Sequence, residues 1–513
     1  MATMGAMVRA LERFADRPAL VTEAEGELTY AELLTLTNRF AAGLLAAGLR
    51  PGDRFAFLLP NGARIVAAYY ACATTGIIGV PLGTRLLEDD LVHQLTDSGA
   101  VAVLYAPEFA ERAAGLAPRV PGVRLWIGGP GGPGETTIED FLAAAADSDP
   151  GIEVRPEDPY CVMYTGGTTG VSKAAIQTQE SWAYCIGDTV EQLGIVADDR
   201  HAVVLPMTHA AWFTAAAHLD AGARTHLPAG WDPEGLLALT EAERLTKLHM
   251  LPTLLGDLLT VAERGRPDVS SVGLVSLAGS PIPVEMYRRA QAIFGDVICN
   301  IYGLTEASGP VTYLLPAEMN EARLKSGGRT ATGVEARIDA DPDAPPENAG
   351  TGEILLRGPQ MTPGYLNRPD ETAAAYDGEW FHTGDIGYLD PDGFLYIVDR
   401  KKEMVKTGGF NVYPKEVEEA LYAHPDVIEA AVFGVPDAKW MEALRACVVL
   451  RQGSTADGEE LREFVRERVA GYKVPKEIHV VDALPRTNFG KFDKKALQKR
   501  YTSHPATQKE KTA

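Results

Sequence analysis

Over most of its first 330 residues the chain alternates short apolar runs with amphipathic stretches, the sign of an α/β architecture. RFAFLLP (54–60) precedes the helical IVAAYYACATTG (65–76), which is followed by IIGVPL (77–82). VAVLYAP (101–107) and HAVVLP (201–206) read as further buried strands. Two loops break the rhythm: GGPGGPGE (128–135) reads as a flexible connection and DADPDAPPENAGTGE (339–353) as an acidic, proline-rich turn. No repeat of fixed period is present. The texture changes after residue 400. VYPKEVEEALYAH (412–424) predicts a helix with Pro414 and two glutamates in its first turn, VIEAAVFGV (427–435) a strand, and Leu461, Phe464, Val465 and Val469 a helical stripe. That segment is large enough for a separate α+β domain. At 513 residues the chain exceeds what one core supports, so two or more domains are expected.

Composition removes several function classes. A net charge of −22 repels nucleic-acid backbones and anionic membranes. The five cysteines (Cys72, Cys161, Cys185, Cys299, Cys447) are scattered and odd in number, without metal or disulfide spacing, as suits a reducing compartment. No apolar run approaches the roughly 18 residues of a membrane span. The N-terminus lacks a signal-peptide core, and Ala2 does not fit the myristoylation pattern. A cytoplasmic location is the expectation, and the alanine- and arginine-rich composition hints at a GC-rich bacterial gene. The ten histidines show no tight metal spacing, which argues against zinc.

YTGGTTGVSKAA (164–175) has the makings of a phosphate cradle. Its glycines let backbone N–H groups approach oxyanions, Thr165, Thr168, Thr169 and Ser172 add hydroxyls, and Lys173 adds charge. It departs from the G-x-x-x-x-G-K-[ST] P-loop, because two residues separate Gly170 from Lys173 and Ala174 replaces the metal-binding hydroxyl. Taken alone, it also suits a surface turn. NIYGLTEASG (300–309) offers Glu306 as a carboxylate for Mg²⁺ bridging phosphates, or as a helix cap. In HTGD (382–385), Asp385 suits two ribose hydroxyls or an Asx-turn, and Arg400 after FLYIVD suits a ribose, a phosphate or a surface carboxylate. LPRTNFGKFDKKAL (484–497) sets Lys491 after a glycine, where a lone lysine is ordinarily solvated.

Together, and in this order and spacing from LTYAEL (28–33) to GKFDKKAL (490–497), these stretches resemble the adenylate-forming superfamily of acyl-CoA and aryl-CoA ligases, luciferases and peptide-synthetase adenylation domains. The resemblance implies a large N-terminal α/β domain over 1–399, a hinge at 400–402 centred on Lys402, a small mobile α+β lid over 403–502, and a disordered tail over 503–513. It also implies two half-reactions. A carboxylate and ATP first give an acyl-adenylate and pyrophosphate; thiol attack then gives a thioester and AMP. In the first step Thr165, Gly166, Gly167, Thr168, Thr169, Gly170 and Lys173 would hold the β- and γ-phosphates. Thr305 would contact the α-phosphate, Glu306 the Mg²⁺, and Asp385 with Arg400 the ribose. Tyr302 and Gly303 would border the adenine, with Gly279, Ser280 and Pro281 on its other side. Lys491 would bridge the carboxylate and α-phosphate, a fixed cation where two anions are brought together. In the second step the lid would rotate and present VKTGGFN (405–411), where Lys406, Gly408 and Gly409 would take the pantetheine of CoA.

LPMTHAAW (205–212) matches the family's histidine stretch, so His209 would border the acid and pantetheine channel, although a structural histidine stays open. Trp212 replaces the usual glycine there and would reshape one wall of the acyl pocket. Ala210, Ala211, Gly303, Ser308 and Gly309 are small, which suits a bulky aryl, cyclic or medium-to-long acyl acid and offers no anion to an amino acid. Met441 stands where the family commonly has glycine, on the presumed CoA face. Only residues 492–513 follow Lys491, so no fused carrier is expected and free CoA is the leading acceptor. The runner-up is an acyl-AMP ligase that makes only the adenylate or loads a separate carrier protein. A homodimer is compatible with all of this.

Overall fold

The computed structural model describes every residue except 1, 24, 135, 166–171, 209–210, 281, 341–349, 408–409, 438, 487–491 and 503–513; at 410 and 411 it describes the backbone alone. The chain forms two compact units that no single cut separates. One comprises Met1–Arg337, Leu355–His382 and Asp390–Tyr396; the other comprises Ile338–Ile354, Thr383–Leu389 and Ile397–Ala513.

The first unit holds two sheets whose strands are the apolar runs of the sequence. In one the order is Thr136–Thr137, Leu125–Gly128, Ala102–Tyr105, Arg54–Leu58, Ile78–Pro81, Pro159–Thr165, Lys173–Thr178. All neighbours are parallel except the last pair, an antiparallel hairpin. Val80, Val103, Tyr105, Val162 and Tyr164 bury one face against Leu91, Leu95 and Leu116 of the covering helices. Crossover helices between parallel strands require such two-sided burial, which explains why these strands read as continuous apolar runs. The helix Ala63–Thr75 ends on Gly76, whose φ of 69° closes it in the left-handed conformation. LTYAEL resolves into a capping box: Thr29 accepts the Glu32 N–H, and the Glu32 carboxylate accepts the Thr29 N–H at 2.7 Å, opening the helix Tyr30–Ala46.

The second sheet places Pro18–Thr22, Arg224–Leu227, Arg200–Val203, Lys247–Met250, Leu274–Ala278 and Ile298–Leu304 side by side and parallel. Gly309–Leu314 and Ser326–Thr330 then add antiparallel neighbours. Parallel strands end on a common edge, and ligands of open α/β sheets bind beyond such carboxyl ends. Residues 205–208, 279–280 and 302–308 all follow or end strands of this sheet.

The second unit carries its own sheet, ordered Phe410–Val412, Val405–Thr407, Met441–Leu450, Val427–Asp437, with Glu477–Val480 parallel to Met441–Leu450. Its core joins Val405, Val412, Val417, Leu421, Val432, Leu461 and Val465. Two local expectations change. The helix Pro414–Tyr422 carries only Glu416 in its first turn, because it begins at Pro414 itself and Glu418 falls in the second. The helix Gly458–Arg466 buries Leu461 and Val465; Phe464 instead packs on His424, and Val469 meets the core from beyond the helix end. The proline-rich stretch at 339–353 has its ends drawn into the strands Glu335–Ala340 and Gly352–Arg357.

Candidate active site

The phosphate-loop candidate springs from the hairpin of Pro159–Thr165 and Lys173–Thr178, where Thr165 pairs with Lys173 and Tyr164 with Ala174. Gly166, Gly167, Thr168, Thr169 and Gly170 lie outside the described residues. The base is tightly held: the buried Tyr164 hydroxyl donates to Gln94 O at 3.0 Å. Lys173 forms an ion pair with Glu371, and its ammonium lies 5.3 Å above the Tyr365 ring.

Tyr365 is the partner that the sequence reading missed. The segment containing it runs beside Lys173–Thr178, with Leu366 N–H donating to Ala174 O at 2.9 Å and Ile176 N–H to Gly364 O at 3.0 Å. Its hydroxyl donates to Glu306 Oε1 at 3.0 Å. Burial, then the Glu306 carboxylate, push this phenol's pKa well up, so it remains a donor. Burial and the same carboxylate push Tyr376 up to about 12. Glu306 is thus a carboxylate facing two neutral phenols. Its backbone is fixed too: the Glu306 carbonyl accepts Thr362 N–H at 2.6 Å, and the Thr305 carbonyl accepts Gln177 Nε2 at 2.9 Å. The signal that would have found these partners is PGYLN (363–367), a tyrosine in a glycine–proline turn, together with the polar Gln177 in an apolar strand.

The small residues around Glu306 are sterically required. A Cβ on Gly303 would lie 2.4 Å from the Gly309 carbonyl oxygen, and one on Gly309 would lie 2.7 Å from Cys185 Sγ. Ser308 adopts φ 57°, and its hydroxyl bonds Ser181 Oγ at 3.0 Å. Ala278 pairs with Ile301, which sets Gly279 (φ 92°) and Tyr302 one residue further along adjacent strands. Ser280 is exposed. Ala211 and Trp212 open the helix Ala211–Asp220 and are buried. Trp212 faces the aromatic core: its ring stacks on Tyr69 at 4.2 Å, and its N–H donates to Tyr160 at 3.3 Å. The helix residue that meets Gly309 is its neighbour Phe213, which the sequence reading did not single out. His209, Ala210 and Pro281 lie outside the described residues.

In the second unit Arg400 Nε lies 3.1 Å from Asp385 Oδ1, so these two expected ribose ligands meet. The Asp385 side chain is 6% exposed and that of Arg400 48%. Thr383 Oγ1 accepts the Asp385 N–H at 3.0 Å, while Glu353 accepts both Gly384 N–H at 3.0 Å and the Lys401 ammonium at 2.8 Å. Lys402 is exposed in the following turn. Lys406 is exposed on Val405–Thr407, its N–H donating to Glu442 at 2.7 Å. Across the sheet Thr407 pairs with Met441, a non-glycine residue at φ 65° that is 63% exposed. Gly408, Gly409 and Lys491 lie outside the described residues. Among the described residues no cluster of three or more His, Cys, Asp or Glu has metal-holding geometry, and no helix is long and apolar enough to cross a membrane.

Comparison with known proteins converges on one family. The AMP-binding enzyme profile matches residues 7–366, and that of the AMP-binding enzyme C-terminal domain matches 416–491. A feruloyl-CoA synthase of Amycolatopsis sp. is 36% identical, over 92% of this chain and 94% of its own. The long-chain-fatty-acid–CoA ligase FadD13 of Mycobacterium tuberculosis is 32% identical, over 93% of each. The ATP-bound structure of MatB from Rhodopseudomonas palustris superposes with a TM-score of 0.88 at 30% identity, over 98% of this chain and 99% of that one. The chain belongs to the AMP-binding enzyme family, among the acyl-CoA synthetases of the adenylate-forming superfamily.

Proposed function

We propose that the protein is an ATP-dependent carboxylic acid:CoA ligase acting on a bulky aryl, cyclic or medium-to-long acyl acid. The observation that carries this reading is the Glu306 arrangement: a carboxylate oriented by the Tyr365 hydroxyl, on a backbone pinned by Gln177 and Thr362, beyond the carboxyl end of a parallel strand. Among the described residues this carboxylate belongs to no cluster of three or more metal-holding side chains, so it fits Mg²⁺ better than a protein-caged metal, since that ion takes one or two carboxylates together with phosphate oxygens. Mg²⁺ there would offset phosphate charge. Thr165–Gly170 and Lys173 hold the departing pyrophosphate, and Thr305 the α-phosphate. Tyr302, Gly303, Gly279, Ser280 and Pro281 enclose the adenine. Asp385 accepts the ribose hydroxyls, and Arg400 beside it adds a donor. Lys491 stabilises the charge built up as carboxylate oxygen attacks the α-phosphorus; the phosphoanhydride bond breaks and pyrophosphate leaves.

The acid lies against His209, Ala210, Ala211, Gly303, Ser308 and Gly309, with Trp212 acting from behind through the helix it anchors. In the second step the CoA thiol attacks the acyl carbon along Lys406, Gly408 and Gly409 after movement at Lys402, and AMP leaves. The relatives' acids range from ferulate to long-chain fatty acids, which supports the class and leaves the particular acid to experiment. A second reading, an acyl-AMP ligase that stops at the adenylate or loads a carrier protein, draws on Met441, whose exposed side chain and left-handed backbone sit beside the Lys406 strand. ATP–pyrophosphate exchange over a panel of carboxylic acids, with and without CoA, separates the two. Acid-dependent exchange with thioester formed from CoA supports the ligase; exchange without any thioester favours the second reading; no exchange with any acid refutes both.

A further inference from the structure

The helix Lys494–Thr502 opens with a largely buried lysine held by two carboxylates. Its ammonium lies 2.8 Å from Glu418 Oε1 and 3.1 Å from Glu403 Oε2. Glu418 stands on Pro414–Tyr422 and also accepts the Val432 N–H at 2.8 Å, so it is fastened to the sheet. Glu403 directly follows Lys402, in the turn after Leu395–Arg400, and its N–H donates to Arg400 O at 2.9 Å. One cation therefore joins the helices Lys494–Thr502 and Pro414–Tyr422 and the expected hinge turn. Burial opposes the charge on Lys494, but Glu418, Glu403 and Asp399 outweigh it and hold the pKa above that of a free lysine. The Asp399 carboxylate is itself fixed by the N–H groups of Arg400 at 2.7 Å and Lys415 at 2.9 Å.

The residues on either side of 487–491 are equally well held. Arg486 bridges Phe492 in antiparallel register, and Asp493 N–H donates to Pro485 O at 2.8 Å. The Asp493 carboxylate caps Ala496 N–H at 2.9 Å, and Leu497 is buried with Phe433 and Leu484. This base needs only Glu418 to satisfy Lys494. The second carboxylate comes from the hinge turn and is otherwise unexplained; a partly buried ion pair between separate segments gains little in stability against its desolvation cost.

We propose that Lys494 is a positioning residue for adenylate formation: by gripping Glu403 and Glu418 together it sets the base of the Lys491 segment at a fixed distance from the hinge turn. The role rests on Lys491 acting in the first half-reaction, as proposed above. Because a displacement of about 1 Å at a reacting group costs on the order of 100-fold in rate, a salt bridge three residues from Lys491 has the leverage to matter.

The test uses the full-length enzyme and two reactions, ATP–pyrophosphate exchange with a turned-over acid and thiolysis of the supplied acyl-adenylate by CoA. Lys494→Met is expected to slow exchange by about 100-fold and thiolysis by less than about threefold. Glu403→Gln keeps the Lys494–Glu418 pair, and with it the fold, and is expected to slow exchange by about tenfold with the same selectivity. Lys494→Arg is expected to restore most of the exchange. Equal losses in both reactions, or exchange unchanged in Glu403→Gln, would overturn the proposal, and Glu403→Gln alone decides it if Lys494→Met does not fold. Lys491→Ala run in parallel separates the two levels. If it fails to suppress exchange, the reading of Lys491 falls and the positioning role falls with it. If it is selective and the Lys494 and Glu403 variants are not, the positioning role alone falls.

Discussion

The Glu306 region and the Asp385–Arg400 region are organised by different forces. Around Glu306 the polar groups are held by neutral donors, the Tyr365 hydroxyl and the Gln177 amide, on strands packed so closely that Gly303 and Gly309 admit no side chain. Around Asp385 the order comes from charge: Arg400 on Asp385, Lys401 on Glu353, and Lys494 on Glu403 and Glu418. Steric and neutral hydrogen-bonded order is rigid and indifferent to salt. Ionic order can be made and remade, and it weakens as salt screens it.

A matched pair of glycine substitutions should break this contrast most visibly. Gly303→Ala drives a Cβ into backbone and should cost roughly 3 kcal/mol, the upper end for overpacking, with a correspondingly lower Tm by calorimetry. Gly384→Ala meets open space and costs only the left-handed backbone at φ 70°, about 1 kcal/mol. Equal losses would mean that the first region is not sterically locked.

Removing one partner from each site comes next. Asp385→Ala strands Arg400 and removes the ribose acceptor, so kcat/KM for ATP in exchange should fall by about 100-fold. Tyr365→Phe removes the hydroxyl that donates to Glu306, and should cost about tenfold in the same assay. A larger effect at Tyr365 than at Asp385 would reverse the assignment of which region does more of the nucleotide's work.

Acid should act on the first unit. Burial holds His218, His226 and His249 at about 4. Unfolded histidines protonate near pH 6.5, so below that the unfolded chain binds protons that these folded residues refuse, and stability drains away as pH falls from about 6.5 to 4. Hydrogen exchange by mass spectrometry at pH 7 and 5 should show protection lost first in peptides covering Arg200–Val203, Ala211–Asp220 and Lys247–Met250.

The smallest effect is expected at Met441. Met441→Gly relieves a left-handed backbone and should raise stability by about 1 kcal/mol. If the Met441 side chain also narrows the thiol approach, the KM for CoA should fall with it.

The sequence was most legible where a residue's role depends on its immediate neighbours. IVAAYYACATTG lies in the helix Ala63–Thr75, and RFAFLLP, VAVLYAP and HAVVLP carry the strands Arg54–Leu58, Ala102–Tyr105 and Arg200–Val203, all from local pattern. Asp385 and Arg400 were also recognisable individually, and the fold brings them together. What stayed hidden was tertiary. Tyr365 reaches Glu306 across 59 positions, and Gln177 reaches Thr305 across 128. Phe213 meets Gly309 only because its helix packs on another element. Likewise, the compact units gather strands from well before residue 400, since β-pairing over long separations leaves no mark in local composition.

Attack at the α-phosphorus leaves its signature in the products. Incubated with ATP, Mg²⁺, a turned-over acid and CoA, the protein should release AMP and pyrophosphate in equal amounts, each in step with the acid consumed. Release of ADP and inorganic phosphate in step with acid would instead put the attack at the γ-phosphorus and rule out an adenylate.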